Sequence, residues 1–134
     1  MATVEQNEAA AMRCIDLYNK GTSEWVDICY SPNAQWIEHP HMGNPKGHTG
    51  SRDALRKLAE FQIDFFPDRQ MKVTNHVAQG NVVVLEQDWQ GTTARPFGNL
   101  PVGTVARSRI ATFLTFDENA LIIKHEDYIV SPNP

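Results

Sequence analysis

Positive charge is scarce in this chain, apolar runs are short, and only two cysteines occur among its 134 residues. Each shortage excludes a class of function. Lys and Arg number 12 against 16 Asp and Glu, a formal net charge of -4. The basic residues are also scattered, with only Arg52, Arg56 and Lys57 in a loose group, so a nucleic-acid partner is not expected. No apolar run is long enough to span a bilayer, which argues against a membrane partner. The first residues, MATVEQNEAAAM, lack the basic and apolar regions of a secretory signal, so a cytoplasmic protein is expected. Cys14 and Cys29 fit no metal-ligand spacing and are expected to be reduced and buried. The chain also lacks GxSxG, a P-loop, GxGxxG and a Cys/His nucleophile pair, which argues against covalent hydrolysis and nucleotide chemistry.

What remains is an ordinary globular composition, 41% hydrophobic and 21% charged, of the length of one domain covering residues 1–134. Residues 4–20 read as a helix, with Ala11, Cys14 or Ile15, and Tyr18 at helical spacing and Gly21 as its stop. TSEWVDICY reads as a second, shorter helix capped by Thr22 or Ser23, with Pro32 just beyond its end. AQWIEH reads as a short strand that ends at Pro40 and the turn MGNPKGHTG. Ser51 caps a third helix with Leu55, Leu58, Ala59 and Ile63 on its apolar face, stopped by Pro67.

From there the period changes to two. MKVTNHVAQ, VVVLEQDWQGTT, GTVARSRIATFLTF and LIIKHEDYIV read as four antiparallel strands, the first pair joined through Gly80-Asn81. The fold class is therefore α+β, with three helices covering one face of a strongly bent, mainly antiparallel sheet. Three short helices do not close over such a sheet, and a pocket between the layers is the natural consequence.

The element order resembles the nuclear-transport-factor-two-like superfamily, the cone-shaped fold of ketosteroid isomerases and polyketide cyclases. WIEHP with its glycine turn, GSRDALRKLAEFQIDFFPD, VAQGNVVVLEQDWQGTT, FGNLPVGTVARSRIATFLTF and LIIKHEDYIV are similar, in that order, to the SnoaL-like polyketide cyclase branch, from about Asn7 to Val130. The resemblance implies a pocket for a small apolar ligand, no cofactor, and a homodimer formed through the convex sheet face. The chain also departs from that pattern. Thr93 stands where the family's strand often has a His, Pro101-Val102-Gly103 replaces its Pro-Thr-Gly, and its frequent terminal Asp falls on Val130. Of the ketosteroid isomerase set, the helix-one Tyr falls on Cys14, the oxyanion-hole Asp near Thr112, and the catalytic Asp on His39. Standard steroid isomerisation is not expected.

Candidate site residues follow from alternation. If Ile37 faces the core, His39 enters the pocket beside it as a general base, and Glu38 points away to solvent or a subunit interface. On the last strand His125 and Asp127 share a face, and a carboxylate among apolar neighbours suits general acid/base work. His39 and Asp127 are the expected catalytic pair. Trp89 and Gln87 share the more apolar face of their strand and are expected to position substrate, with His125, Trp25, Tyr18 and Thr93 as further contacts. A metal held by His39, His41 and His48 is disfavoured by Pro40 and by the lack of a carboxylate on the right face. The expected function is cofactor-independent proton transfer, a cyclisation or isomerisation of an apolar carbonyl compound. The alternative is a non-catalytic ligand-binding or dimerisation module.

Overall fold

The computed structural model describes residues 2–131. Helix α1 spans Val4–Asn19 and begins in a capping box, in which Thr3 and Gln6 each bond the other's backbone N–H. Its buried residues Asn7, Ala11, Cys14 and Tyr18 recur every three or four positions, the stripe a helix needs to lie on a sheet. Helix α2 (Glu24–Cys29) is short, and strand β1 (Tyr30–Glu38) follows it directly. Strand β2 (His48–Ser51) leads into α3 (Arg52–Phe65), where Ser51 Oγ accepts from the Ala54 N–H. Strands β3 (Gln70–Gln79), β4 (Val82–Thr92), β5 (Val105–Phe116) and β6 (Ile122–Val130) complete the chain.

The six strands form one sheet in the order β2-β1-β6-β5-β4-β3. The meander β3 to β6 is antiparallel, as the sequence pattern predicts, and Gly80 turns the β3–β4 hairpin at a φ of 59°. Two features depart from the expectation. The expected turn after Pro40 contains β2, four residues without an apolar face that pair antiparallel to β1. Strand β1 is also longer than expected and runs parallel to β6. Pro32 therefore lies inside the strand, where the pairing register shifts between Tyr30 and Gln35.

The inner sheet face and the helices enclose the core. Val26, Val83, Leu85 and Ile122 are fully buried there, Ala11 of α1 with them. Helix α1 packs on β3 and β4, and α3 packs on β1 and β2. Gly91 allows the chain to pass close beneath the end of α3, since a Cβ there would sit 2.9 Å from that of Phe66. Among the described residues no helix is long and apolar enough to cross a membrane.

Candidate active site

A cavity of about 660 Å³ lies between the helices and the inner sheet face. Its deep wall comes from β4 and β5, which contribute Leu85, Gln87, Trp89, Ile110 and Thr112. Strands β1 and β6 supply the polar wall. Their parallel register sets Trp36 beside His125 and Glu38 beside Asp127, and all four line the cavity.

One chain of hydrogen bonds crosses this wall. The Tyr30 hydroxyl lies 2.6 Å from His125 Nδ1, and His125 Nε2 lies 2.8 Å from Asp127 Oδ1. Thr112 Oγ1 donates to the same Oδ1 at 2.7 Å and accepts from Gln87 Nε2 at 2.8 Å. Burial pushes the Tyr30 hydroxyl pKa well above its ordinary value, with nearby Cys14 and Asp127 adding to the shift, so it keeps its proton. Tyr30 is then the donor to Nδ1, which leaves the ring proton on Nε2, pointing at the carboxylate. Asp127 Oδ1 thus takes two donors. Oδ2 takes none among the described residues and is not among the buried unpaired atoms, so it is accessible.

A second cluster stands at the end of β1. Glu38 Oε2 accepts from His41 Nε2 at 3.1 Å and from Asn44 Nδ2 at 3.0 Å. The Gly43 N–H donates to His41 Nδ1 at 3.2 Å, which fixes the imidazole proton on Nε2. The loop that carries His41 closes through Gly47, whose φ is 66° and where a Cβ would meet the Glu38 carbonyl oxygen at 2.6 Å. Only glycine fits there.

The structure reverses the side-chain direction expected on β1. His39 does not reach the cavity. Its ring stacks on Tyr128 at 4.3 Å on the outer sheet face, 3.6 Å from Glu126. Trp36 and Ile37 are adjacent and both apolar, so alternation alone does not choose between them. Pairing with β6 does, burying Trp36 and turning Glu38 inward with it. Glu38 therefore faces the cavity rather than solvent; its side chain is only 17% exposed.

Thr93 is likewise not a cavity residue. It is buried, donates to the Pro101 carbonyl at 2.7 Å and accepts from the Thr104 N–H at 2.9 Å, so it pins the loop between β4 and β5. The other expected residues Asp127, His125, Gln87, Trp89, Tyr18 and Trp25 all line the cavity. Trp89 Nε1 donates to the Tyr18 hydroxyl at 2.8 Å, and that hydroxyl donates to Gln62 Oε1 at 2.9 Å. Burial raises the Tyr18 pKa, opposed by the Arg69 guanidinium 4.3 Å over its ring.

Three polar atoms of cavity residues are buried without a partner: Trp25 Nε1, Trp36 Nε1 and Gln87 Oε1. Each unpaired atom costs about 1–3 kcal/mol. Among the described residues no three His, Cys, Asp or Glu side chains come together to hold a metal ion. His41 is bonded to Glu38, and His48 packs against Trp36 at 4.7 Å.

A helix-roofed sheet over a polar-walled apolar cavity is the fold of a small-molecule enzyme class. Residues 11–125 match the SnoaL-like domain, and the chain belongs to that family. Solved structures show the same fold. AclR, a proposed hydroxylase from Streptomyces galilaeus, superposes with a TM-score of 0.80 at 19% identity, over 97% of this chain and 82% of its own. IdmH, a proposed polyketide cyclase from Streptomyces antibioticus, gives 0.78 at 20% identity over 92% and 91%. AusH from Aspergillus nidulans gives 0.80 at 18% identity over 98% and 88%. No curated protein sequence matches the chain.

Proposed function

We propose that the chain is a cofactor-independent enzyme that moves a proton at carbon in an apolar carbonyl compound, in a cyclisation or isomerisation. The observation that carries this reading is Asp127, with one carboxylate oxygen saturated by His125 and Thr112 and the other accessible. In the proposed role Oδ2 takes a proton from the carbon next to the substrate carbonyl. His125, held in one tautomer by Tyr30, keeps the carboxylate aimed. Trp89 and Tyr18, tied to each other, form a fixed aromatic wall. Asp127 remains the acid/base residue of this reading, and His39 is replaced by the inner-face imidazole His125.

The outer face exposes Val77, Phe113, Tyr128 and Val130, which suits a homodimer through the sheet; sedimentation as a monomer at micromolar concentration in analytical ultracentrifugation counts against that assembly.

The test of the chemistry is deuterium uptake from heavy water at the α-carbon of a bicyclic ketone, followed by NMR. Saturable uptake by the wild-type protein, lowered about a hundredfold or more in Asp127→Asn, is the expected result. Equal uptake in both proteins, with the variant folded, contradicts it.

A further inference from the structure

Two carboxylates stand side by side on the polar wall of the cavity. Glu38 and Asp127 are register partners on the parallel strands β1 and β6, and both line the cavity. Adjacent strands run about 4.8 Å apart, so the two charges share one patch of wall. Each is held as a carboxylate by two donors on a single oxygen: His41 and Asn44 on Glu38 Oε2, His125 and Thr112 on Asp127 Oδ1. Neither imidazole brings a positive charge. His41 Nδ1 accepts from the Gly43 N–H and His125 Nδ1 from the Tyr30 hydroxyl, so each ring carries its single proton on Nε2. The ion pairs that Lys and Arg make among the described residues reach neither carboxylate. Arg107, the one Lys or Arg among the described lining residues, is exposed and alternates on β5 with the inward Ser108 and Ile110. Like charges this close repel each other, and a cation beside them relieves the repulsion.

The wall is also rich in acceptors. Glu38 Oε1 and Asp127 Oδ2 have no partner among the described residues and are not among the buried unpaired atoms, so both are accessible. Gln87, 1% exposed, also lines the cavity. Thr112 gives its proton to Asp127 and therefore receives from the Gln87 amide, which leaves Gln87 Oε1 as an acceptor without a partner. Around these acceptors the lining is aromatic: Trp36 shares the strand face of Glu38, and Tyr18, Trp25, Phe66 and Trp89 complete the cavity. A divalent metal ion needs more ligands than two free oxygens, and among the described residues no three His, Cys, Asp or Glu come together. An organic ammonium needs fewer. One or two charge-assisted N–H bonds hold it, with aromatic surface against its carbon frame.

From this charge balance we infer that the cavity selects ligands bearing a protonated amine, whose N–H is accepted by Glu38 Oε1. The inference rests on the proton-transfer reading above for its carbonyl and narrows the substrate class to apolar carbonyl compounds that carry an amine. Glu38 is then the residue that sets specificity. Asp127 adds to the attraction for the cation while its Oδ2 stays free for the reacting carbon. A cavity of about 660 Å³ admits a bicyclic frame with its amine. No bond to nitrogen is made or broken.

The test compares two probes of one shape by titration calorimetry at neutral pH and low salt: trans-decahydroquinoline, protonated there, and the neutral ketone trans-decalone. Wild-type protein is expected to bind the amine at least about tenfold more tightly, the scale of one charge-assisted hydrogen bond. In Glu38→Gln the two affinities are expected to come within about twofold of each other, through loss of amine binding alone. Glu126→Gln, on the outer face, is expected to leave the preference within about twofold of the wild type. Equal affinity of the wild type for both probes, or no binding of the amine at millimolar concentration, overturns the inference. So does an amine preference that survives in Glu38→Gln, with circular dichroism confirming the fold. The proton-transfer reading fails separately: α-exchange unaffected by Asp127→Asn, with the amine preference retained, removes that chemistry and leaves the amine site in place.

Discussion

His125 with Asp127 on the inner face of β6, and His39 with Glu126 across β1 and β6 on the outer face, are the same kind of pair on opposite sides of one sheet. Inside, the imidazole and carboxylate meet at 2.8 Å; outside, they are 3.6 Å apart. The inner histidine is held at its second nitrogen by Tyr30, and the inner carboxylate also receives Thr112. The outer His39 has no hydrogen bond at Nε2, and its ring rests on Tyr128. Lys124 also reaches Glu126, at 3.4 Å. The residue types alone do not make a reactive pair. In the proposed role the surrounding donors that fix tautomer and direction do, because among the described residues they leave one oxygen for a substrate.

The sharpest way to break this comparison is to remove one carboxylate charge on each face. Asp127→Asn is expected to lower α-carbon exchange about 10²–10⁴-fold, the range of a general base, and Glu126→Gln to change it less than about twofold. Initial rates on the bicyclic ketone check both.

Tyr30→Phe comes next. It removes one hydrogen bond from His125, and a loss of about tenfold in exchange corresponds to roughly 1.4 kcal/mol. Its pH behaviour separates positioning from packing. Burial raises the Tyr30 pKa, so the folded state binds that proton more tightly than the unfolded chain. The resulting stability is complete below the ordinary tyrosine value, about 10, and is lost as pH rises through the higher folded value. Thermal melts of the wild type are therefore expected to fall above about pH 10, and those of Tyr30→Phe to fall less steeply. A steeper alkaline loss in the variant contradicts the assignment.

Thr93→Val leaves the Pro101 carbonyl and the Thr104 N–H without their partner and is expected to destabilise by about 1–3 kcal/mol in urea titration. A folded variant of unchanged stability but much weaker ligand binding would return Thr93 to the cavity. The smallest effect belongs to His39→Ala, expected within about 0.5 kcal/mol in stability and about twofold in exchange.

Much of the architecture is legible in the sequence because it rests on local periodicity. The stripe of Ala11, Cys14 and Tyr18, the cap at Ser51 and the turn at Gly80-Asn81 each state their element within a few residues. Strand β2 is not legible, since His48–Ser51 has no apolar alternation and exists through pairing with β1. The face of β1 is not legible for a related reason. Either Trp36 or Ile37 satisfies a core, and a partner 89 residues downstream, His125, decides which.

The site divides along the same line. Asp127, His125, Gln87 and Trp89 lie on strands whose inner face the alternation marks. Glu38 and Tyr30 do not. Tyr30 reads as the end of a helix, and its partner His125 is 95 residues away. The spacing of Trp36 and Glu38, repeated in His125 and Asp127, was the available signal, and it becomes readable once the two strands are known to run parallel.

The most direct measurement of the central claim is the rate of α-carbon deuterium exchange in Asp127→Asn beside His39→Ala, at equal concentration and with both variants confirmed folded. A loss of about a hundredfold or more in the first and less than about twofold in the second is the predicted result. A large loss in His39→Ala with Asp127→Asn unaffected would contradict the assignment of the chemistry to the inner face.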